Sequence, residues 1–125
     1  MKRWIAGILA LFNLTNGLAM IFASSLWWAS VPGVPDTGPF NLHFVQDVGA
    51  AFLVSGLALG LRTWRAVYWP AAVAASAFLV AHALIHLVMI AGGHDHHAGA
   101  DLATVIVPAA LALYSAFPSK GERYA

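Results

Sequence analysis

Cysteine is absent from this sequence, and charge is scarce: Asp, Glu, Lys and Arg together make up 9% of its 125 residues. Without thiols there are no disulfides, no thiolate metal sites and no thiol redox chemistry in any compartment. An ordinary soluble domain is about 25% charged. So little charge excludes a soluble enzyme, a disordered chain and a nucleic-acid binder, because none of their surfaces could be solvated or grip phosphates. Glutamate occurs once, at Glu122 near the C-terminus. The Glu-x-x-His ligand set of carboxylate di-iron bundles is therefore missing, which speaks against an oxygen-activating di-iron enzyme. There is no Gly-rich phosphate loop, no serine nucleophile with an adjacent base, no internal repeat and no low-complexity tract. What is abundant is apolar surface, at 61% of residues, with a mean hydropathy of +0.78. The chain reads as a single transmembrane domain over residues 1–125.

A helix needs about 20 mainly apolar residues to cross the hydrocarbon core. Four stretches qualify, over about 4–28, 40–61, 66–91 and 101–117. Pro32, Gly33, Pro35, Gly38 and Pro39 break the chain between the first two. Arg62 to Arg65 makes a tight polar turn, and a Gly/His/Asp loop covers 92–100. Pro70 suits the first turn of the third helix, whereas Pro108 lies deeper in the fourth and predicts a kink. The expected fold is all-α, an up-down four-helix membrane bundle. Lys2, Arg3, Arg62, Arg65, Lys120 and Arg123 then share one side, which the positive-inside rule makes the cytoplasm, with Asp36, Asp95 and Asp101 opposite. Trp4, Trp64, Tyr68 and Trp69 serve as anchors at the inner boundary, and Trp27 and Trp28 at the outer one. Both termini are expected inside, in a multi-pass inner-membrane protein. A competing expectation is that Lys2, Arg3, the first apolar run and Ala23-Ser24-Ser25 form a cleaved signal peptide, which would leave three spans in the same orientation.

Ionisable residues inside a membrane are costly, so their positions carry information. His43, Gln46 and Asp47 share one face of the second span, and His82 and His86, with Met89 beyond, share one face of the third. At about 1.5 Å per residue, Asp47, His82 and His86 lie about 7–14 Å below the outer boundary. Helices joined by a tight turn are antiparallel neighbours, so His43, Asp47, His82 and His86 are expected to converge. Three imidazoles and a carboxylate suit a divalent transition metal such as zinc, iron, nickel or copper(II). The same residues equally suit a hydrogen-bonded cluster that locks helices together or relays protons. Haem is a weaker option: two histidines could ligate it and Gly49 and Gly56 could make room, but the outer half offers no Lys or Arg for propionates.

The loop His94-Asp95-His96-His97 could capture a metal externally, sense pH, or simply be a solvated turn. Asn13, Asn16, Met20 and Ser24 form a polar stripe on the first span, and Asp101, Thr104, Pro108 and Ser115 one on the fourth. Such residues are more often hydrogen-bond glue between helices than ligands. Asn16, Gln46 and Met89 are candidates to support the metal site from behind. Gly49, Gly56, Gly60 and the run Ala71 to Ala77 allow close backbone approach. The basic residues face lipid headgroups.

With its short basic N-terminus, its Asn/Gly-bearing first helix and its four spans, the chain resembles small bacterial inner-membrane proteins of the DoxX-like kind. The likeness covers all four spans but rests on layout. It implies a compact bundle, sometimes associated with redox or quinone-linked complexes, and transfers no catalytic residue. The leading functional expectation is metal handling or a metal-supported redox step. The alternatives are a non-catalytic accessory subunit and a haem- or quinone-binding subunit. Association with lipid, with a second copy or with another membrane protein is expected, and association with nucleic acid is not.

Overall fold

The computed structural model of the protein describes residues 1–93 and 97–122. Every regular element among them is helical: α1 (Lys2–Phe22), α2 (Ser24–Ser30), α3 (Leu42–Trp64), α4 (Trp69–Ala91), α5 (Ala98–Asp101) and α6 (Val107–Ala116), with short 3₁₀ turns at Val34–Thr37 and Ala66–Tyr68. Four stretches are long and apolar enough to cross a membrane, Lys2–Phe22, Leu42–Trp64, Ala66–Ala91 and Ala98–Ala116. This is a multi-pass membrane protein by the length and composition of its helices.

Three spans start and stop close to where the sequence predicts. The first differs, ending at Phe22 because Ala23 leaves the helical region (φ −132°, ψ 40°) before α2 begins. Side chains satisfy the carbonyls at this break, which would otherwise be orphaned in lipid. Ser24 Oγ donates to the Met20 and Ile21 carbonyls, and Gln46 Nε2 donates to the Ile21 carbonyl at 3.1 Å. Trp27 Nε1 ties α2 back onto α1 by donating to Asn16 Oδ1 at 2.8 Å.

In the last span, where Pro108 predicts a kink, the helix changes its winding. Pro108 supplies no N–H to the Thr104 carbonyl and crowds it, and the turn before it, Leu102–Ile106, is wound as a π-helix. A π turn absorbs one extra residue. Pro70 stands in the first turn of α4, where its missing N–H costs nothing.

Helix α1 packs on α3 and α6, and α4 packs on the same two, so the four long segments close into a ring. Its core is small-residue packing: Ala6, Ala10, Ala72, Ala83, Ala109, Ala112 and Ala116 surround Leu9, Leu59 and Leu79. The α1–α3 contact is closer still. A Cβ added at Gly17 would lie 2.6 Å from the Gly49 carbonyl oxygen, and one added at Gly56 would lie 2.9 Å from the Leu14 nitrogen. Only glycine allows backbones this near. Gly60 is not part of this contact, since its Cβ would meet nothing nearer than Ala10 Cβ at 3.8 Å. Large apolar side chains such as Ile8, Leu11, Phe22, Val54, Leu57, Ile85 and Val88 point outward, as lipid requires. Buried serines and Asn13 bond to carbonyls one turn back on their own helices. Ser55 also reaches across to the Ala75 carbonyl on α4, at 3.3 Å.

Contacts at the two ends show which segments meet there. At one end Lys2 Nζ donates to the Phe117 carbonyl (3.3 Å), Arg3 to the Thr63 and Trp64 carbonyls, and Arg62 Nε to the Ala116 carbonyl (3.1 Å). At the other, His97 Nε2 lies 3.4 Å from Asp36 Oδ2, and His86 meets Asp101.

Candidate functional site

At this second end a contact between ionisable side chains joins α4 to the start of the last span. His86 Nδ1 is hydrogen-bonded to Asp101 Oδ2, with both side chains mostly enclosed. Against a carboxylate, which only accepts when ionised, Nδ1 is the donor, and Nε2 is the ring atom outside the pair. One turn back, His82 sets its ring edge-on to His86, centroids 4.8 Å apart. It is also stacked on Phe78 at 6.0 Å and met edge-on by Phe52 of α3 at 5.7 Å. Two imidazoles and a carboxylate are thus held in one row, walled on one side by aromatic rings. Asp101 is the last residue of α5, immediately ahead of the π turn, so the wound segment sets its direction toward α4.

His43 and Asp47 do not join this group, which corrects the expected four-residue convergence. His43 Nδ1 pairs with Asp47 Oδ2 at 2.8 Å within α3, and both side chains are strongly exposed, at 87% and 68%. The reason is angular. Val45 and Gly49 are buried, and at 100° per residue a side chain two positions from either faces the opposite way. Sharing a face with one another therefore placed His43 and Asp47 together on the exposed face of α3. Among the described residues no three His, Asp or Glu side chains are placed to hold a metal ion.

The supporting candidates divide in the same way. Gln46 and Asn16 act at the α1–α2 break, bonding to Ile21 and Trp27, and Met89 is half-buried on α4. Of the expected capture loop, His94, Asp95 and His96 lie outside the described residues, as does Arg123, and His97 sits against Asp36. The space beside Gly49 and Gly56, which a porphyrin would need, is filled by Gly17, Met20 and Leu14 of α1.

Two residues gained a role that their types alone did not suggest. Asp101, taken as one of a polar stripe, is the partner of His86. The signal was depth: His86 stands five residues before the end of α4 and Asp101 four into the next span, so in adjacent antiparallel segments they come level. Arg62, taken as part of a turn, is fully buried, with Nη2 donating to Glu122 Oε2 at 2.7 Å. Ser55, Leu59 and Arg62 fall at helical spacing on one buried face of α3, which was readable in advance. Compared with known proteins, the chain matches no protein-family model, no curated protein and no solved structure.

Proposed function

We propose that this protein is a non-catalytic accessory subunit of a bacterial inner membrane, with both termini cytoplasmic, whose His82, His86 and Asp101 form a protonatable lock in the outer half of the bilayer. The observation that carries this reading is the enclosed His86–Asp101 bond between α4 and the last span. Ionisable groups at membrane depth persist where they pair, and such pairs fix helices or pass protons. Hydrogen bonds to a charged group contribute about 1.5–3 kcal/mol, enough to decide whether a span this alanine-rich stays docked. Lys2, Arg3, Arg62 and Arg65 at the opposite end support the orientation. The test is assembly and melting of the purified protein with Asp101→Leu or His86→Leu. A lower melting temperature and impaired assembly, with no metal in the wild type, are expected. Unchanged melting and assembly would discard the lock.

A second reading, binding of zinc, iron, nickel or copper(II), is favoured by the same bond, because a carboxylate on Nδ1 with Nε2 available is how metal-ligating histidines are commonly oriented. Asp101 would then replace Asp47 beside the ligands, and a second copy or a partner would complete the set. Elemental analysis decides between the two. Stoichiometric metal that disappears when His82 and His86 are changed to Ala selects this reading.

A further inference from the structure

We infer that the basic end of the bundle holds a binding site for a phosphate ester, formed by Arg3, Trp64 and Arg65. This proposal is independent of the histidine site. A cavity of about 250 Å³ opens there, lined by Arg3, Trp64, Arg65, Ala66, Val67 and Glu122. Its two exposed guanidiniums are already positioned. Arg3 donates from Nε and Nη2 to the Thr63 carbonyl (3.0 and 2.8 Å) and from Nη2 to the Trp64 carbonyl (3.1 Å). Those bonds fix the planar head and leave Nη1 for a ligand. Arg65 rests over the Trp64 ring, 5.9 Å from its centroid, a cation–π contact that orients the group without using any of its donors. Guanidiniums held in this way match the oxygens of a phosphate better than flexible ammonium groups do.

The carboxylate in the lining does not cancel this charge. Glu122 Oε2 already accepts from Arg62 Nη2 (2.7 Å) and from the Ser119 N–H (2.8 Å). Arg62 keeps a buried Nη1 with no partner among the described residues. With Glu122 paired to Arg62, the guanidiniums of Arg3 and Arg65 have no carboxylate partner among the described residues of the lining. The depth is also right, because Trp64 ends one span and Ala66 begins the next, placing the cavity where lipid headgroups lie. Trp64, two-thirds exposed, is the residue type that occupies that boundary.

A phosphodiester here could belong to an anionic phospholipid or a phosphate could come from solution, and the experiment separates the two. Detergent-purified protein is examined by native mass spectrometry with phosphatidylglycerol or phosphatidylcholine, and by thermal melts in inorganic phosphate against chloride at equal ionic strength. If lipid is the source, phosphatidylglycerol is retained over phosphatidylcholine, and Arg65→Gln lowers that retention about tenfold or more, the loss of one charge-assisted hydrogen bond to the phosphate. If a soluble phosphate is the source, phosphate raises the melting temperature of the wild type but not of Arg65→Gln, with no preference among lipids. Lys120→Gln, at an exposed position outside the cavity lining, leaves either signal unchanged. Equal loss in Arg65→Gln and Lys120→Gln would reduce the site to diffuse charge and overturn the proposal. So would failure of both probes to distinguish the wild type from Arg65→Gln.

Discussion

At the scale of single residues, Arg62 shows how a charge can be enclosed without ceasing to be useful. Its Nε donates to the Ala116 carbonyl at the end of α6, and its Nη2 meets Glu122. Replacing it removes a cap and an ion pair together. Arg62→Met is expected to lower unfolding free energy by about 1.5–3 kcal/mol, read from denaturation in detergent. Arg62→Lys should not restore it, because one ammonium cannot span both acceptors in the fork geometry of a guanidinium. The pair also gives a pH signature. The Ser119 N–H, and after it the Arg62 guanidinium, hold the Glu122 carboxyl below its usual value of 4.5 against the opposing effect of partial burial. The unfolded chain then binds more protons between the two values, so stability rises with pH there. Its contribution is whole at neutral pH and is lost as the pH falls from about 4.5 through the folded value. Melting curves from pH 7 to pH 3 should show wild type losing more stability than Glu122→Gln over that range; parallel curves would contradict this. Residues of this kind were partly legible in the sequence. The core stripe of α3 names Arg62 and, by the same geometry, rejects Asp47, whereas the pairing of His86 with Asp101 required knowing how two segments stand relative to one another.

At the scale of elements, two local devices set the arrangement: the glycine contact of α1 with α3 and the π turn before Pro108. Gly17 and Gly49 oppose each other so closely that neither tolerates a methyl group without backbone movement. Gly49→Ala and Gly56→Ala are expected to cost about 1–3 kcal/mol as overpacking. Gly60→Ala, where the added carbon meets only ordinary contact, should be neutral or gain about 0.5–1 kcal/mol from helix propensity. A melting series in one detergent checks all three, and equal effects would show that the contact is looser than the structure has it. The π turn gives a sharper test. Pro108→Ala restores an N–H for the Thr104 carbonyl and removes the reason for the wide turn. Reverting to α-helix would rotate everything before it by about 100°, carrying Asp101 away from His86. Nitrogen chemical shifts of His86 should then resemble those of Asp101→Asn; retention of the wild-type shifts would mean that the turn is held by something other than Pro108. The sequence announced the glycines and the proline but not how far each effect reaches, because close approach depends on the helix opposite and a π turn is only one of several answers to a proline.

At the scale of the whole molecule, composition alone was enough for the class of fold, since four apolar stretches of spanning length leave few other ways to satisfy a backbone in lipid. Which side each end faces is decided by charge. Lys2, Arg3, Arg62 and Arg65 gather around one end of the ring, while Asp36, His97 and the His86–Asp101 pair mark the other. A basic end resists translocation, so it is expected on the cytoplasmic face. The absence of cysteine makes this directly testable, because any introduced thiol is the only one in the chain. Thr37→Cys lies in the exposed turn between α2 and α3, and Ser119→Cys lies beyond α6, where the native side chain is exposed. A membrane-impermeant maleimide applied to intact spheroplasts should label Thr37→Cys at once and Ser119→Cys only after the membrane is opened. The reverse pattern would place the arginines outside, remove the basis for a lock in the outer leaflet, and move the histidine pair to the cytoplasmic half. Labelling of both in intact spheroplasts would mean that an even number of segments crosses the membrane between the two sites, and it would break the link between the basic end and the cytoplasm on which the orientation rests.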